Sequence, residues 1–141
     1  MSANKIDKEI LVNKIKCPDG TILESRHQHD YQCHVQEDGR EYFVDGGLQY
    51  QRVGSSDDEF TNLAVYSTDS HDKIRDNFVW GRSMDKNGKL LPEVEYIKLK
   101  NLTDDHVETL VYFTLHHNYP SKINKVFVDE HNYRIDNKGN K

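Results

Sequence analysis

The stretch that decides the fold is residues 9–53, EILVNKIKCPDGTILESRHQHDYQCHVQEDGREYFVDGGLQYQRV. Three turn signals divide it: Pro18-Asp19-Gly20, Glu37-Asp38-Gly39 and Asp45-Gly46-Gly47. Proline presets φ in such turns and glycine takes the positive-φ position, so the chain reverses direction there. We expect strands over 9–16, 21–26, 31–36, 40–44 and 48–53. Short strands joined by tight turns predict a small antiparallel sheet, a ribbon-like meander.

The residues that follow combine a hairpin with helices. Asn87-Gly88 is a hairpin signal, and residues 95–99 alternate like a strand. Three residues can each cap a helix: Ser70, Thr103 and Ser121. The helix after Ser70 is expected over 71–79, and the helix after Ser121 is expected to reach Arg134. Two apolar faces at helical spacing support the later helices: Val107, Leu110, Val111 and Thr114, then Ile123, Val126, Phe127 and Glu130.

The predicted class is therefore α+β, with a small antiparallel β module followed by a module of a β-hairpin and helices. The polar loop 54–59, GSSDDE, separates them best. The expected organisation is a flexible tail 1–8, a β module 9–66, an α+β module 67–134 with two C-terminal helices, and a flexible tail 135–141.

Composition and charge exclude several classes of protein. The hydrophobic fraction is 35%, so the core is thin, and 10% aromatic residues argue against a disordered chain. No apolar run approaches the roughly 20 residues of a membrane span, so no membrane partner is expected. Formal net charge is −5, with +2 on each of residues 1–16 and 121–141 and −9 between them. Bulk DNA binding, which depends on basic residues that contact phosphates, is not expected.

Cysteine and histidine residues cluster near the middle of the predicted sheet. Two cysteines, Cys17 and Cys33, are too few for a secreted disulfide scaffold and indicate a reduced, intracellular setting. His27, His29, Asp30 and His34 lie between or beside them, and these residue types bind zinc, but the spacing fits no standard ligand pattern. The alternative is a polar loop between strands. No nucleophile accompanies the histidines, so we expect no metal, no cofactor and no enzyme activity.

Aromatic and basic residues interleave on the predicted strands. Arg40 and Tyr42 would share one strand face, as would Tyr50 and Arg52, with Tyr31 nearby. Sheets that bind RNA stack bases on such aromatic rings and hold phosphates with arginine. The alternative is that Tyr42 and Tyr50 pack in the core with their hydroxyls at its rim. Trp80 beside Arg82 is a further candidate, either as an exposed anchor or as a plug between the modules.

Several phrases of the sequence are specific in combination: ILES at 22–25, RHQHDY at 26–31, VDGGLQYQR at 44–52 and VWGRSMDKNGK at 79–89. Together they resemble a widespread family of small proteins of T-even-like tailed bacteriophages, and within it the mRNA metabolism modulators, also called ComC-alpha or GoF. The resemblance covers roughly residues 9–134.

The resemblance implies a regulatory protein in the host bacterial cytoplasm that affects transcript stability or host transcription termination without catalysis. The implied partners are the host RNA-processing or termination machinery, or mRNA itself. Family members carry paired cysteines, resembling a zinc ribbon, near the positions of Cys17 and Cys33. One cysteine stands at each place here, so the resemblance implies a ribbon-like β fold without a four-thiolate metal site.

Two other functions are compatible with the residues. The acidic middle of the chain suits a basic protein surface, which favours an interaction module that inhibits or redirects another host protein, such as a defence or polymerase component. The second is a metal-dependent nuclease that uses His27, His29 and Cys33.

Overall fold

The computed structural model describes residues 8–55, 57–85 and 87–138, and the chain divides into two compact units, Met1–Asp69 and Ser70–Lys141. Antiparallel strand pairs occur in both units and helices in the second, which confirms the α+β class. Residues 1–7 of the predicted tail 1–8, and residues 139–141 of the predicted tail 135–141, lie outside the described residues. Over the ranges described, no helix is both long enough and apolar enough to cross a membrane.

Two small antiparallel sheets form the first unit. In one, β1 (Ile10–Lys16) pairs with β2 (Ile22–Ser25) and with the short strands β6 (Thr61–Asn62) and β7 (Val65–Tyr66). The other has the order β3 (Gln32–Val35), β4 (Glu41–Asp45), β5 (Arg52–Ser55). The first four predicted strands are confirmed, and none of their ends differs from the prediction by more than one residue.

The fifth predicted strand is wrong in its position. We expected it over 48–53, but the chain from Gly46 to Gln51 has no strand pairing and β5 begins at Arg52. A buried side chain from β1 holds this longer turn. The Nδ2 atom of Asn13 lies within hydrogen-bond distance of three backbone carbonyl oxygens, those of Asp45 (2.9 Å), Gly47 (3.0 Å) and Tyr50 (3.1 Å), so one of its two protons is shared between two acceptors. The apolar alternation at 48–53 did not reveal this contact, because Asn13 lies more than thirty residues away in sequence.

The core of the first unit lies under the second sheet and beside β1. One cluster in it has the buried members Ile15, Cys17, Leu23, Tyr42 and Val44, with Val53 and Phe60 packed against them. Further buried residues of this unit are Ile10, Leu11, Val12, Ala64 and Val65. Because side chains alternate along a strand, burial of Tyr42 and Val44 places Phe43 on the opposite face of β4. This alternation decides which side chains of the sheet are available for binding.

The second unit contains a hairpin and three α-helices. Its elements are α1 (His71–Asn77), β8 (Val79–Met84), β9 (Leu90–Lys98), a 3₁₀ turn (Leu99–Asn101), α2 (Asp104–His116) and α3 (Ser121–Lys138). Two predicted caps are confirmed: Ser70 Oγ accepts from the amide of Lys73 at 3.3 Å, and Thr103 Oγ1 from that of His106 at 3.1 Å. The predicted face of the last helix is also confirmed, since its buried residues are Ile123, Val126, Phe127 and Glu130.

Three boundaries in the second unit differ from the prediction. The helix expected over 71–79 ends at Asn77, because Phe78 has extended backbone angles and Trp80 pairs with Ile97 in the hairpin. Ser121 is the first residue of α3 rather than its cap, and the carbonyl of Pro120 accepts the first helical hydrogen bonds. This helix continues to Lys138, through part of the segment expected to fray.

A buried carboxylate links the helices of the second unit. Glu130 of α3 has no exposed surface, and its oxygens accept hydrogen bonds from Arg75 (2.9 and 3.0 Å) and Arg134 (2.6 Å). The Nε2 atom of His71 lies 2.9 Å from the same carboxylate. Burial alone would raise the pKa of Glu130, but the hydrogen bonds from Arg75, Arg134 and His71 outweigh it and lower the pKa. The carboxylate therefore stays ionised and holds α1 to α3.

Candidate functional site

The sheet of β3, β4 and β5 presents a face that points away from the core. The strand register places Cys33 and Gly54 on either side of Phe43, and Val35 beside Glu41. Since Phe43 faces away from the buried Tyr42 and Val44, its partners on the neighbouring strands do so as well. We call this surface the outer face, and its members are Tyr31, Cys33, Val35, Phe43, Arg52 and Gly54.

Aromatic rings and an arginine are stacked on the outer face. The Phe43 ring lies against Gly54, where a Cβ atom would overlap the ring. Tyr31 stacks on Phe43 with the ring centroids 5.2 Å apart and the planes 25° apart, yet 54% of Tyr31 remains exposed. The guanidinium carbon of Arg52 lies 5.5 Å from the centroid of Phe43. A side chain at position 54 would displace the Phe43 ring, and Tyr31, which stacks on that ring, keeps about half of its surface exposed to a planar ligand.

Arg40 and Tyr42, the first predicted pair, do not reach the outer face. Arg40 donates to Asp38 (2.8 Å), Asp57 (2.6 Å) and Glu59 (2.9 Å), and these hydrogen bonds raise its pKa. Tyr42 is 1% exposed and donates its hydroxyl proton to Asp57. Burial, followed by this hydrogen bond, raises the pKa of Tyr42 to about 12. Both residues therefore stabilise the loop at Asp57 instead of offering a binding surface.

Tyr50 and Arg52, the second predicted pair, are separated by the end of the turn. Tyr50 lies outside β5 and is 49% exposed, and its ring packs close to the backbone of Gly46. Arg52 is the first residue of β5 and belongs to the outer face. Its Nη2 donates to Asp45 at 2.7 Å, and 62% of its side chain is exposed. Of the four residues that the sequence predicted as binding pairs, Arg40, Tyr42, Tyr50 and Arg52, the structure thus brings only Arg52 to the stack.

Trp80 and Arg82 belong to the second unit. The Trp80 ring packs edge-on against Phe127 (5.4 Å between centroids) and against Phe113 (6.4 Å), so it contributes to the core between β8 and the helices. Arg82 pairs with Glu95 across the hairpin at 3.2 Å. The pKa of His106 is lowered mainly because its ring is partly buried, and secondly by the positive charge of Arg82. The packing of Trp80 corresponds to a structural role within this unit.

The predicted cysteine and histidine cluster is dispersed. Cys17 is buried, and its burial and then the neighbouring Asp19 raise the pKa of its thiol, whereas Cys33 is exposed on the outer face. His27 and His29 are exposed in the loop before β3. Within ranges 8–55, 57–85 and 87–138, no three His, Cys, Asp or Glu side chains are grouped so that they could hold a metal ion. The geometry therefore gives no support to the nuclease that would use His27, His29 and Cys33.

His34 instead makes a pair with Asp19, which predicts acid sensitivity of the first unit. Its Nε2 atom lies 2.7 Å from Asp19 Oδ2, and this hydrogen bond, with that from the Thr21 amide, lowers the pKa of Asp19 to about 2. The ordinary pKa of aspartate is about 3.9, so the ionised form is favoured by folding. The resulting stability is present above about pH 4 and is lost as the pH falls towards the folded-state pKa.

We expect Asp19→Asn to flatten the dependence of the first unit's unfolding on pH between about 4 and 2, as measured by circular dichroism in denaturant. Glu37→Gln, which removes an exposed carboxylate in the turn before β4, is the control and should keep the original dependence. Equal pH dependence in Asp19→Asn and the unsubstituted chain would contradict this assignment.

A shallow groove in the second unit is a weaker candidate. It has a volume of about 260 Å³ and is lined in part by Val107, Ile135 and charged residues of α2 and α3. Its charges pair with one another: Lys138 and Arg134 each lie 2.8 Å from Asp104 and lower the pKa of that carboxyl to about 2. The groove therefore presents an ion-pair cluster, and the outer face remains the stronger candidate.

Sequence reasoning missed Phe43, and strand parity was the signal that could have found it. The segment 40–44 alternates Arg40, Tyr42 and Val44 against Glu41 and Phe43. A face that carries both Tyr42 and Val44 is the better core face, which leaves Phe43 outside. Tyr31 was recognised as aromatic, but its stacking on Phe43 depends on the path of the loop before β3.

Comparisons with known proteins return no similarity. The chain matches no protein-family profile, no curated protein sequence and no solved structure.

Proposed function

We propose that this chain is a bacteriophage regulatory protein that modulates mRNA metabolism in the host bacterial cytoplasm, by altering transcript stability or transcription termination through binding. The observation that carries the proposal is the outer face, where Tyr31 stacks on Phe43 beside Arg52. Exposed aromatic rings with an arginine are the side chains that RNA-binding sheets use. The sequence phrases that resemble phage mRNA metabolism modulators support the same function.

Binding without catalysis is supported by what the charged side chains do. Arg40 is held by three carboxylates, and Glu130 is held by two arginines and a histidine. Groups that pair in this way position helices and loops, whereas a catalytic group needs access to a substrate. The proposed partners are the transcript itself or the host machinery for RNA processing or termination.

Loss of the gene is expected to change the half-lives of phage transcripts. The measurement is transcript decay after transcription is stopped in infected cells, in normal hosts and in hosts impaired in termination. A plasmid copy of the unsubstituted chain should restore the original half-lives, Tyr31→Ala should not, and Tyr50→Ala should. Unchanged half-lives in both hosts after deletion would refute the proposed function.

A second candidate is an interaction module that acts on another host protein. The charge of the first unit favours it: seven basic residues stand against thirteen acidic ones in residues 1–69, a net of −6. Such a surface is complementary to a basic protein. Affinity purification from infected cells distinguishes the two functions, because recovery of one basic protein without RNA or RNA-handling proteins would favour the interaction module.

A further inference from the structure

The stacked rings on the outer face can accommodate another planar group. The Phe43 ring packs against Gly54, and Tyr31 stacks on Phe43. Tyr31 is still half exposed although it stacks on Phe43, so one more planar group can reach its ring. Cys33 and Val35, which lie on the same outer face, are small side chains and are also exposed. Every nucleobase has a π-face of this kind, and stacking on an aromatic ring tolerates any base.

The charges around the stack disfavour recognition through phosphates. The first unit has a net charge of −6, and Arg52, the cation on the outer face, is already paired with Asp45 at 2.7 Å. A duplex offers a protein mainly its phosphates and groove edges, and its bases are stacked inside. A single strand exposes its bases, so it can use the ring of Tyr31 without many phosphate contacts.

We infer that the outer face binds unpaired nucleobases of single-stranded RNA, stacked on Tyr31 and flanked by Arg52. This inference rests on the proposed function and names the ligand class of the same surface. Two properties follow from it. Double-stranded RNA is excluded, and the affinity depends little on salt, because each phosphate contact on a single strand contributes a slope of only about −0.7 in log affinity against log salt. With at most one such contact, raising salt from about 50 to 200 mM weakens binding no more than about threefold.

The two cysteines provide a test that needs no substitution. Cys33 is exposed on the outer face across from Phe43, while Cys17 is buried with a raised pKa. A thiol-alkylating reagent therefore modifies Cys33 first. We expect a saturating single-stranded RNA of about ten nucleotides and mixed sequence to slow the alkylation of Cys33 at least about fivefold, as measured by mass spectrometry. The same strand annealed to its complement should leave the rate unchanged.

Substitutions on the stack give the second measurement, by fluorescence anisotropy of the labelled strand. Tyr31→Ala should weaken binding roughly five- to a hundredfold, the range that loss of one base–aromatic stack produces. Tyr31→Phe keeps the ring and should restore most of the binding that Tyr31→Ala loses. Tyr50→Ala removes a tyrosine of similar exposure outside the outer face and should also bind normally. Equal losses for Tyr31→Ala and Tyr50→Ala would overturn the placement of the site.

Other outcomes separate this inference from the proposed function. If the single strand fails to protect Cys33, or if duplex RNA protects it equally, the inference is wrong even where deletion changes transcript half-lives. If a basic protein protects Cys33 and RNA does not, the surface is a protein-binding site and the inference is likewise wrong. If RNA protects Cys33 but deletion leaves transcript half-lives unchanged, the inference stands and the proposed function fails.

Discussion

Glu130→Gln is expected to lower the free energy of unfolding of the second unit by about 3–5 kcal/mol, the usual cost of removing one partner from a buried ion pair. The carboxylate accepts hydrogen bonds from Arg75 and Arg134 and contacts His71, and it has no exposed surface. Glutamine keeps the shape but removes the charge. It leaves two partly buried guanidinium groups without their anion, and its amide NH₂ group faces donors where an acceptor is needed.

The measurement uses the single tryptophan of the chain. Trp80 packs against Phe127, one helical turn from Glu130, so its fluorescence during urea unfolding reports on the second unit. Asp129→Asn is the matched control, since Asp129 is the neighbouring carboxylate and its i,i+4 pair with Lys125 lies on the surface. Loss of this surface pair should lower the free energy of unfolding by less than about 0.5 kcal/mol. A Glu130→Gln protein no less stable than Asp129→Asn would show that the buried cluster does not hold the helices.

Asn13→Ala is expected to lower the free energy of unfolding of the first unit by about 2–4 kcal/mol. The side chain is fully buried, and its amide nitrogen is the hydrogen-bond donor to the carbonyls of Asp45, Gly47 and Tyr50. Alanine leaves these acceptors without that donor and creates a cavity beside β1. Each buried polar group left without a partner costs about 1–3 kcal/mol, and the turn recovers part of this by opening to water.

Cys17 is the natural reporter for this substitution. It is 1% exposed in the core of the first unit, so it reacts with a thiol reagent only when that unit opens, whereas Cys33 reacts at once. We expect Cys17 in Asn13→Ala to react at least about thirtyfold faster than in the unsubstituted chain, which corresponds to about 2 kcal/mol. Asn62→Ala removes an exposed asparagine of β6 and is the control. Similar Cys17 rates in both variants would contradict a structural role for Asn13.

Local signals in the sequence predicted much of the fold. Caps at Ser70 and Thr103 and the face from Ile123 to Glu130 depend on residues within one or two helical turns of each other, so a single stretch of sequence contains them. Each of the first four strands has a turn signal next to at least one of its ends. The position of β5 was wrong, because it depends on a hydrogen-bonding residue in another strand.

The candidate site was less accessible to sequence reasoning. Arg40 and Tyr42 are residue types that often bind RNA, but both donate hydrogen bonds to Asp57. Asp57 is brought next to them only by folding, so the sequence did not reveal these bonds. Trp80 directly follows the helix that was expected over 71–79, and the structure pairs it with Ile97 in the hairpin. The useful local signal was the alternation around Phe43, while the stacking of Tyr31 required the three-dimensional path of the loop.

The ion-pair cluster at Glu130 has a consequence for how this sequence diverges. Replacing all members of such a cluster by apolar residues of similar size is often neutral or stabilising, but removing one member alone is strongly destabilising. A series of single substitutions from the ionic cluster to an apolar one must therefore pass through less stable intermediates. Homologues with glutamate at position 130 are expected to retain arginine at both 75 and 134, and lineages that lose the glutamate should have exchanged all three together, so these positions should covary.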